Sequence, residues 1–169
     1  MNKFKYIPII GCLFFSCLKP TNELPNFYYG YYPNELNSWI EYEVTEIVHG
    51  SLGSDTINYF LKEIKTNEFF DNEGEVAIRI ERFWKFNQNE SYVIKDVWQE
   101  KVTSTAVEKV EENNRFVKLI FPVKYGEYWD GNAFNSFPLC EYTYDSIHQP
   151  YSLNSFDFDS SLTVFQKDL

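Results

Sequence analysis

Apolar and polar residues alternate with a period of two along most of this chain. Ile40, Tyr42 and Val44 interleave with Glu41, Glu43 and Thr45, the pattern of a strand with one face in water. Val76, Ile78, Ile80, Arg82 and Trp84 alternate with Ala77, Arg79, Glu81 and Phe83, the clearest strand in the chain. Residues 92–103 read as a long strand, and 105–110 as its continuation or the next. The tight connection Glu111-Glu112-Asn113-Asn114 then leads into 115–121, which predicts a hairpin. Residues 56–66 are ambiguous: Ile57, Tyr59 and Leu61 suit a strand, whereas Ile57, Phe60, Leu61 and Ile64 suit a helix face. Their Thr, Ile, Tyr and Phe content and the flanking loop favour strand.

Turn chemistry separates these runs. Residues 49–55 read as a loop, Asp71-Asn72-Glu73-Gly74 as a turn, and 87–90 as another. Pro122 stops a strand, and 125–135, with two glycines and the Asp130-Gly131 pair, reads as a loop. Residues 139–147 form a further strand, and 162–165 begin one more. With no βαβ alternation and no internal repeat, the expected fold is all-β: an antiparallel meander, curled sheet or small barrel with little helix. The sequence stops at Leu169 inside a strand pattern, which predicts either a sheet edge or a shortened C-terminus. Trp39 opens the first strand with parity opposite to Ile40. It is expected to be buried, covering a second apolar layer or plugging a barrel end, so that its loss would cost on the order of 3–5 kcal/mol.

The N-terminus departs from this pattern. Lys3 and Lys5 precede the apolar run from Ile7 to Phe15, and Ser16-Cys17 follows it. The run is far shorter than the roughly 20 residues that span a bilayer. A basic start, a short apolar core and a small residue describe a cleaved export signal. Ser16-Cys17 resembles a bacterial lipobox, with Phe14 where Leu is usual. Ile9-Ile10-Gly11-Cys12 fits the box by residue type but leaves too short an apolar region, so Cys17 is the expected site of lipid attachment. The expected organisation is a signal peptide over 1–16, the lipidated cysteine and a Pro-containing tether over 17–30, and one β-rich domain over 31–169. An ordinary secretory signal and an N-terminal strand are the alternatives.

Composition narrows the function classes. The chain carries 16 Phe, 13 Tyr and 4 Trp, enough aromatic mass to build a core in one domain. Its net charge of −10 becomes about −12 without Lys3 and Lys5. Nucleic-acid backbones and anionic lipid heads are therefore not expected partners. Beyond Cys12 and Cys17 only Cys140 remains, so no disulfide framework is expected, and Cys140 reads as a buried strand residue. The aromatic stretch 27–33 begins contact with the fold. It suits either a sugar-stacking platform or a segment laid over the core edge, the commoner use.

Tyr31-Tyr32-Pro33 followed by Asn37-Ser38-Trp39-Ile40-Glu41-Tyr42-Glu43-Val44 resembles the opening of a group of uncharacterised lipoproteins from Bacteroidota. Those open with an aromatic-Pro segment, a Gly-Asn or similar turn, and Trp-x-Tyr-x-Val; here Asn37-Ser38 stands in for the Gly-Asn. The block from Phe116 to Gly126, with Trp129-Asp130-Gly131-Asn132-Ala133-Phe134-Asn135, is similar to the same group. The resemblance implies an exported, lipid-anchored, β-rich domain without an assigned activity, and it carries over no catalytic residues. It also implies relatives that continue past the point matching Leu169.

Residues able to do chemistry are scattered. His49 and His148 lie in or beside expected loops, with no HxH, HxxxH or CxxC pattern to mark a metal site. Glu43, Glu46 and His49 share a strand end and read as a solvated edge. Asp55, the Asp71-Asn72-Glu73 turn and Asp157-Phe158-Asp159-Ser160 lack the spaced ligands of an EF-hand calcium loop. Ser146 and Ser152 flank His148 without a nucleophile elbow. Glu41 with Glu43, and Asp157 with Asp159, are carboxylate pairs in an acidic chain, a weak glycosidase signal. No catalytic, metal or cofactor residues are expected.

The leading expectation is a non-enzymatic cell-envelope lipoprotein that binds a protein, a glycan or a lipid. The alternative is a periplasmic carrier whose curled sheet encloses an apolar cavity lined by some of Trp84, Trp98, Phe116 and Phe121. A hydrolase ranks third, and would show as a cleft in which His49 or His148 meets a Ser or carboxylate. The resemblance implies the outer membrane, periplasmic face, as the address: surface-exposed Bacteroidota lipoproteins often carry acidic residues soon after the lipid cysteine, and Leu18-Lys19-Pro20-Thr21-Asn22 has none.

Overall fold

A computed structural model describes residues 26–51 and 53–168. The expected signal peptide and the expected lipid site Cys17 lie outside the described residues. Six strands follow one another as an antiparallel meander, each paired with its sequence neighbour: β1 (Trp39–Gly50), β2 (Gly53–Phe70), β3 (Val76–Lys85), β4 (Val93–Val102), β5 (Ala106–Glu111) and β6 (Asn114–Ile120). The only helical element described is a single 3-10 turn at Tyr29–Tyr31. The fold is thus all-β, and residues 56–66 belong to β2.

Local chemistry sets the connections. Gly50 pairs with Gly53 at the β1–β2 turn. Gly53 has φ 145°, a conformation that L side chains avoid, so the expected loop over 49–55 shrinks to a tight turn. Between β2 and β3, Asp71 Oδ1 accepts from the backbone N–H of Glu73 and Glu75 at 2.9 Å each, while Gly74 sits at φ 80°. Between β5 and β6, Glu112 (φ 48°) and Asn113 (φ 66°) both turn left-handed, as a two-residue hairpin loop of the primed type requires.

Bulges at Lys65/Asn67, Arg82/Phe83 and Val107/Glu108 add bend and twist, and the sheet curls into a half-barrel. A second sheet, β7 (Tyr128–Asp130), β8 (Cys140–Leu153) and β9 (Phe156–Asp168), meets the first at β6. Trp129 Nε1 donates to Val117 O at 2.9 Å, Val117 N donates to Gly131 O at 2.9 Å, and Asn135 Nδ2 donates to Arg115 O at 3.0 Å. Backbone groups of β6 that face away from β5 thereby gain partners. β7 lies inside the stretch expected to be a loop. Three residues are too few to show an alternation.

The main core fills this junction. Val107, Val117, Leu119, Phe121, Val123, Trp129, Cys140, Tyr142 and Tyr144 are buried together. Phe27, Tyr28, Tyr31 and Tyr32 pack against them, so contact with the domain begins within the stretch assigned to the tether. Cys140 is buried at the start of β8, where its backbone N–H donates to Asp130 Oδ1.

Candidate binding cleft on the inner face

Strand register sorts side chains onto two faces. Antiparallel partners share a face, so Ile40, Glu63, Arg82 and Asp96 stand in one row, and Tyr42, Leu61 and Trp84 in the next. This is the inner face, over which residues 32–38 pass. Arg82 occurs in the apolar row of the β3 alternation, which is the sequence signal that this face is not purely apolar.

The inner face carries a charge network packed among aromatics. Arg82 Nε donates to Glu63 Oε1 at 2.8 Å and its Nη1 to Asp96 Oδ2 at 2.9 Å. Its guanidinium stacks 3.4 Å from the Trp98 ring centroid, and Lys109 lies 4.8 Å from the same ring and 3.4 Å from Glu63. Glu100, only 2 % exposed, accepts from the Tyr32 hydroxyl at 2.6 Å and has Lys65 Nζ 2.6 Å from its other oxygen. That second contact is an ion pair without an aligned hydrogen bond. Lys65 also donates to the carbonyl of Pro33, tying the crossing segment to the sheet. Three cations, Lys65, Arg82 and Lys109, balance three carboxylates, Glu63, Asp96 and Glu100, which is how buried charge is tolerated. Burial, then the Glu100 carboxylate, pushes the Tyr32 phenol well above its ordinary range. Burial, then Glu63, pushes Tyr42 up to about 12.

A cavity of about 410 Å³ opens beside this network, lined by Tyr32, Pro33, Trp39, Ile40, Tyr42 and Ile80 with Glu63, Lys65, Glu100 and Lys109. Its volume lies in the small-molecule range. Trp39 is 61 % exposed at the rim, with Lys62 4.5 Å above its ring. The expectation of a buried Trp39 is therefore wrong. Trp39 stands at the start of edge strand β1, opposite Ile64 and on the face away from Ile40, and its exposure shows that no second layer covers it.

The aromatics expected to line a carrier cavity do not converge there. Trp84 packs on Tyr59 and Phe86, Trp98 is taken by Arg82 and Lys109, Phe116 lies by Phe137, and Phe121 packs on Tyr29. None of the four lines the 410 Å³ cavity.

A second charge cluster occupies the outer face. Lys101 Nζ lies 3.0 Å from Asp71, 2.6 Å from Glu73, 3.5 Å from Glu75 and 3.9 Å from Glu108. Arg115 bridges Glu73 and Glu108. The Asp71-Asn72-Glu73 turn thus surrounds an ammonium, the protein's own cation. Burial works against the Lys101 charge, but the Glu73 and Asp71 hydrogen bonds outweigh it and raise its pKa. A backbone hydrogen bond from Glu75 and then the Lys101 contact hold Asp71 below the usual carboxylate range, and Arg115 followed by Lys101 does the same for Glu73. Among the described residues no group of three or more His, Cys, Asp or Glu is placed to hold a metal ion.

One histidine meets a serine and the other a phenol. His49 Nδ1 lies 2.6 Å from Ser54 Oγ on the exposed β1–β2 hairpin. His148, at φ 57°, contacts the Tyr31 hydroxyl, which lies 2.8 Å from Ser160 Oγ. The Tyr28 ring packs edge-on at 4.6 Å against His148. In the second case a phenol separates the imidazole from the serine, so the histidine does not activate that hydroxyl directly. Ser152 bonds Asp157, and Ser146 bonds Thr163. Glu43 and Glu46 are exposed on β1.

No family model, curated protein or solved structure matches this chain.

Proposed function

We propose that this chain is a cell-envelope lipoprotein, lipidated at Cys17 and facing the periplasm from the outer membrane, whose half-barrel is a non-enzymatic binding module. Its ligand is a compact molecule with an apolar or ring-shaped body that lies against Trp39, Ile40 and Tyr42. One observation carries this reading: three large side chains, all exposed, line a 410 Å³ cavity in which Lys65 is ion-paired with Glu100 and Lys109 with Glu63. A preformed polar floor with an exposed apolar wall is the usual make-up of a ligand cleft. Exposed Trp and Tyr at a rim offer area at low entropic cost. The exposed rim supports a binding module over a carrier, which would enclose its ligand.

Two measurements test the two halves. Radiolabelled palmitate should enter the wild-type chain and not Cys17→Ser, which should leave the membrane fraction. The apolar probe anilinonaphthalene sulfonate should bind saturably, and about tenfold more weakly to Trp39→Ala, a loss of about 1.4 kcal/mol. Equal binding by the two proteins would remove Trp39 from the site.

A further inference from the structure

The β8–β9 hairpin extends well past the short strand that supports it. β7 pairs only with Glu141, Tyr142 and Thr143 of β8, whereas β8 and β9 continue to pair out to Leu153 and Phe156. At its end, register places Tyr151 opposite Phe158 and Leu153 opposite Phe156. Those four side chains therefore stand on one face, and all four are exposed. The other face carries Ser152 and Asp157, hydrogen-bonded to each other at 2.6 Å. A two-stranded ribbon with a bare apolar face is marginal in water, and such a patch marks an interaction surface.

We infer that this tip docks into the lipid bilayer that holds the Cys17 anchor, an inference that rests on the lipoprotein reading above. Nine residue steps lead from Cys17 to Asn26, so the chain can hold Asn26 at most about 30 Å from the lipid-bearing residue. Asn26 enters the domain at the base of this hairpin, where Asn26, Tyr28, Tyr31, His148 and Ser160 line one concavity. From His148 to Leu153 the ribbon, which is bulged on the way, advances at most about 17 Å. The tether and the tip thus leave the same part of the domain, and the tip is within reach of the surface to which the tether leads. The charge pattern selects the lipid. Residues 149–161 contain Asp157 and Asp159 and no Lys or Arg, so attraction to anionic head groups is absent and insertion is driven by apolar area.

The test uses the chain from residue 17 onward with Cys17→Ser, which carries no lipid. It should co-float with phosphatidylcholine vesicles and float less with vesicles containing phosphatidylglycerol. Leu153→Ser/Phe156→Ser should lower the phosphatidylcholine partition at least about tenfold while keeping the wild-type circular dichroism. Tyr151→Ser/Phe158→Ser, on the same face, should do the same. The inference fails if the unlipidated chain does not float, or if the variants float equally. It also fails if the tip residues instead hold two copies together, seen as a concentration-dependent dimer that the substitutions dissociate without vesicle binding. Palmitate labelling of the full chain tests the anchor separately, so a missing anchor and an inert tip are distinguishable.

Discussion

The phenol of Tyr144 satisfies both backbone groups of Ile120: it accepts from Ile120 N at 3.0 Å and donates to Ile120 O at 2.5 Å. Tyr144 is almost wholly buried on β8, and Ile120 ends β6. One side chain of the second sheet therefore completes the end of the first. Tyr144→Phe keeps the ring and removes both bonds. Leaving sheltered backbone groups without partners costs about 1–3 kcal/mol, so the denaturant midpoint should fall with an unchanged slope. A wild-type midpoint would mean that water reaches Ile120.

Alkali should unfold the protein through its buried phenols. Burial pushes Tyr144 up to about 12, and Tyr32 higher still. A phenol whose folded pKa exceeds its unfolded value of about 10 stabilises the fold fully below pH 10, and that contribution is lost as pH rises towards the folded value. Stability should therefore be level up to about pH 10 and fall steeply between about 10 and 12, with tyrosinate absorbance rising in step with unfolding. A stability curve level through pH 12 would contradict these shifts.

Gly131 meets the opposite constraint. A Cβ there would lie 2.5 Å from the Tyr142 ring, in a core already filled by Trp129 and Tyr144. Gly131→Ala should cost about 1–3 kcal/mol as the ring is displaced. Thermal melting would show it as a drop of several degrees. Ala at the open Gly30, where nothing lies within 4 Å, is the control.

Trp39→Ala should leave the melting temperature within about 2 °C of wild type, since truncating an exposed side chain changes stability by under about 0.5 kcal/mol. Its effect should fall on ligand binding. Differential scanning calorimetry decides, because a loss of several kcal/mol would return Trp39 to the core.

The strands were legible because each long one alternates over many residues. Even β2, with a helix-compatible face, followed from its Thr, Ile, Tyr and Phe content. β7 was not legible, because its pairing depends on Trp129 reaching Val117 across the junction, a contact between sheets. Trp39 was misread because parity says which face a residue takes and not whether anything covers it. The buried charge network was half visible: Arg82 broke an apolar row, but Glu63, Asp96, Lys109 and Glu100 meet it only through a register that depends on two bulges, at Lys65/Asn67 and Arg82/Phe83. Turn chemistry at Asp71 was read correctly as a turn, whereas the ammonium it surrounds comes from Lys101, thirty residues on.

Glu100 is the residue whose loss should harm the half-barrel most. Its carboxylate is 2 % exposed and is shared by Lys65 and the Tyr32 hydroxyl. Glu100→Ala would leave the Lys65 ammonium with the Pro33 carbonyl and the Tyr32 ring but no counter-charge, and the Tyr32 phenol without its acceptor. Breaking one side of a buried pair costs about 3–5 kcal/mol, a large part of the roughly 5–15 kcal/mol that a domain has. The chain should then fold poorly, and the segment over the cleft should exchange its amide hydrogens faster. Removing both charges separates pairing from packing. Glu100→Met with Lys65→Met should recover most of the loss, because a buried pair replaced by apolar groups is often neutral or stabilising. The cleft would keep its volume and lose its polar floor. If the single and double variants are equally unstable, the Tyr32 bond rather than the ion pair holds the segment, and Tyr32→Phe should then match them.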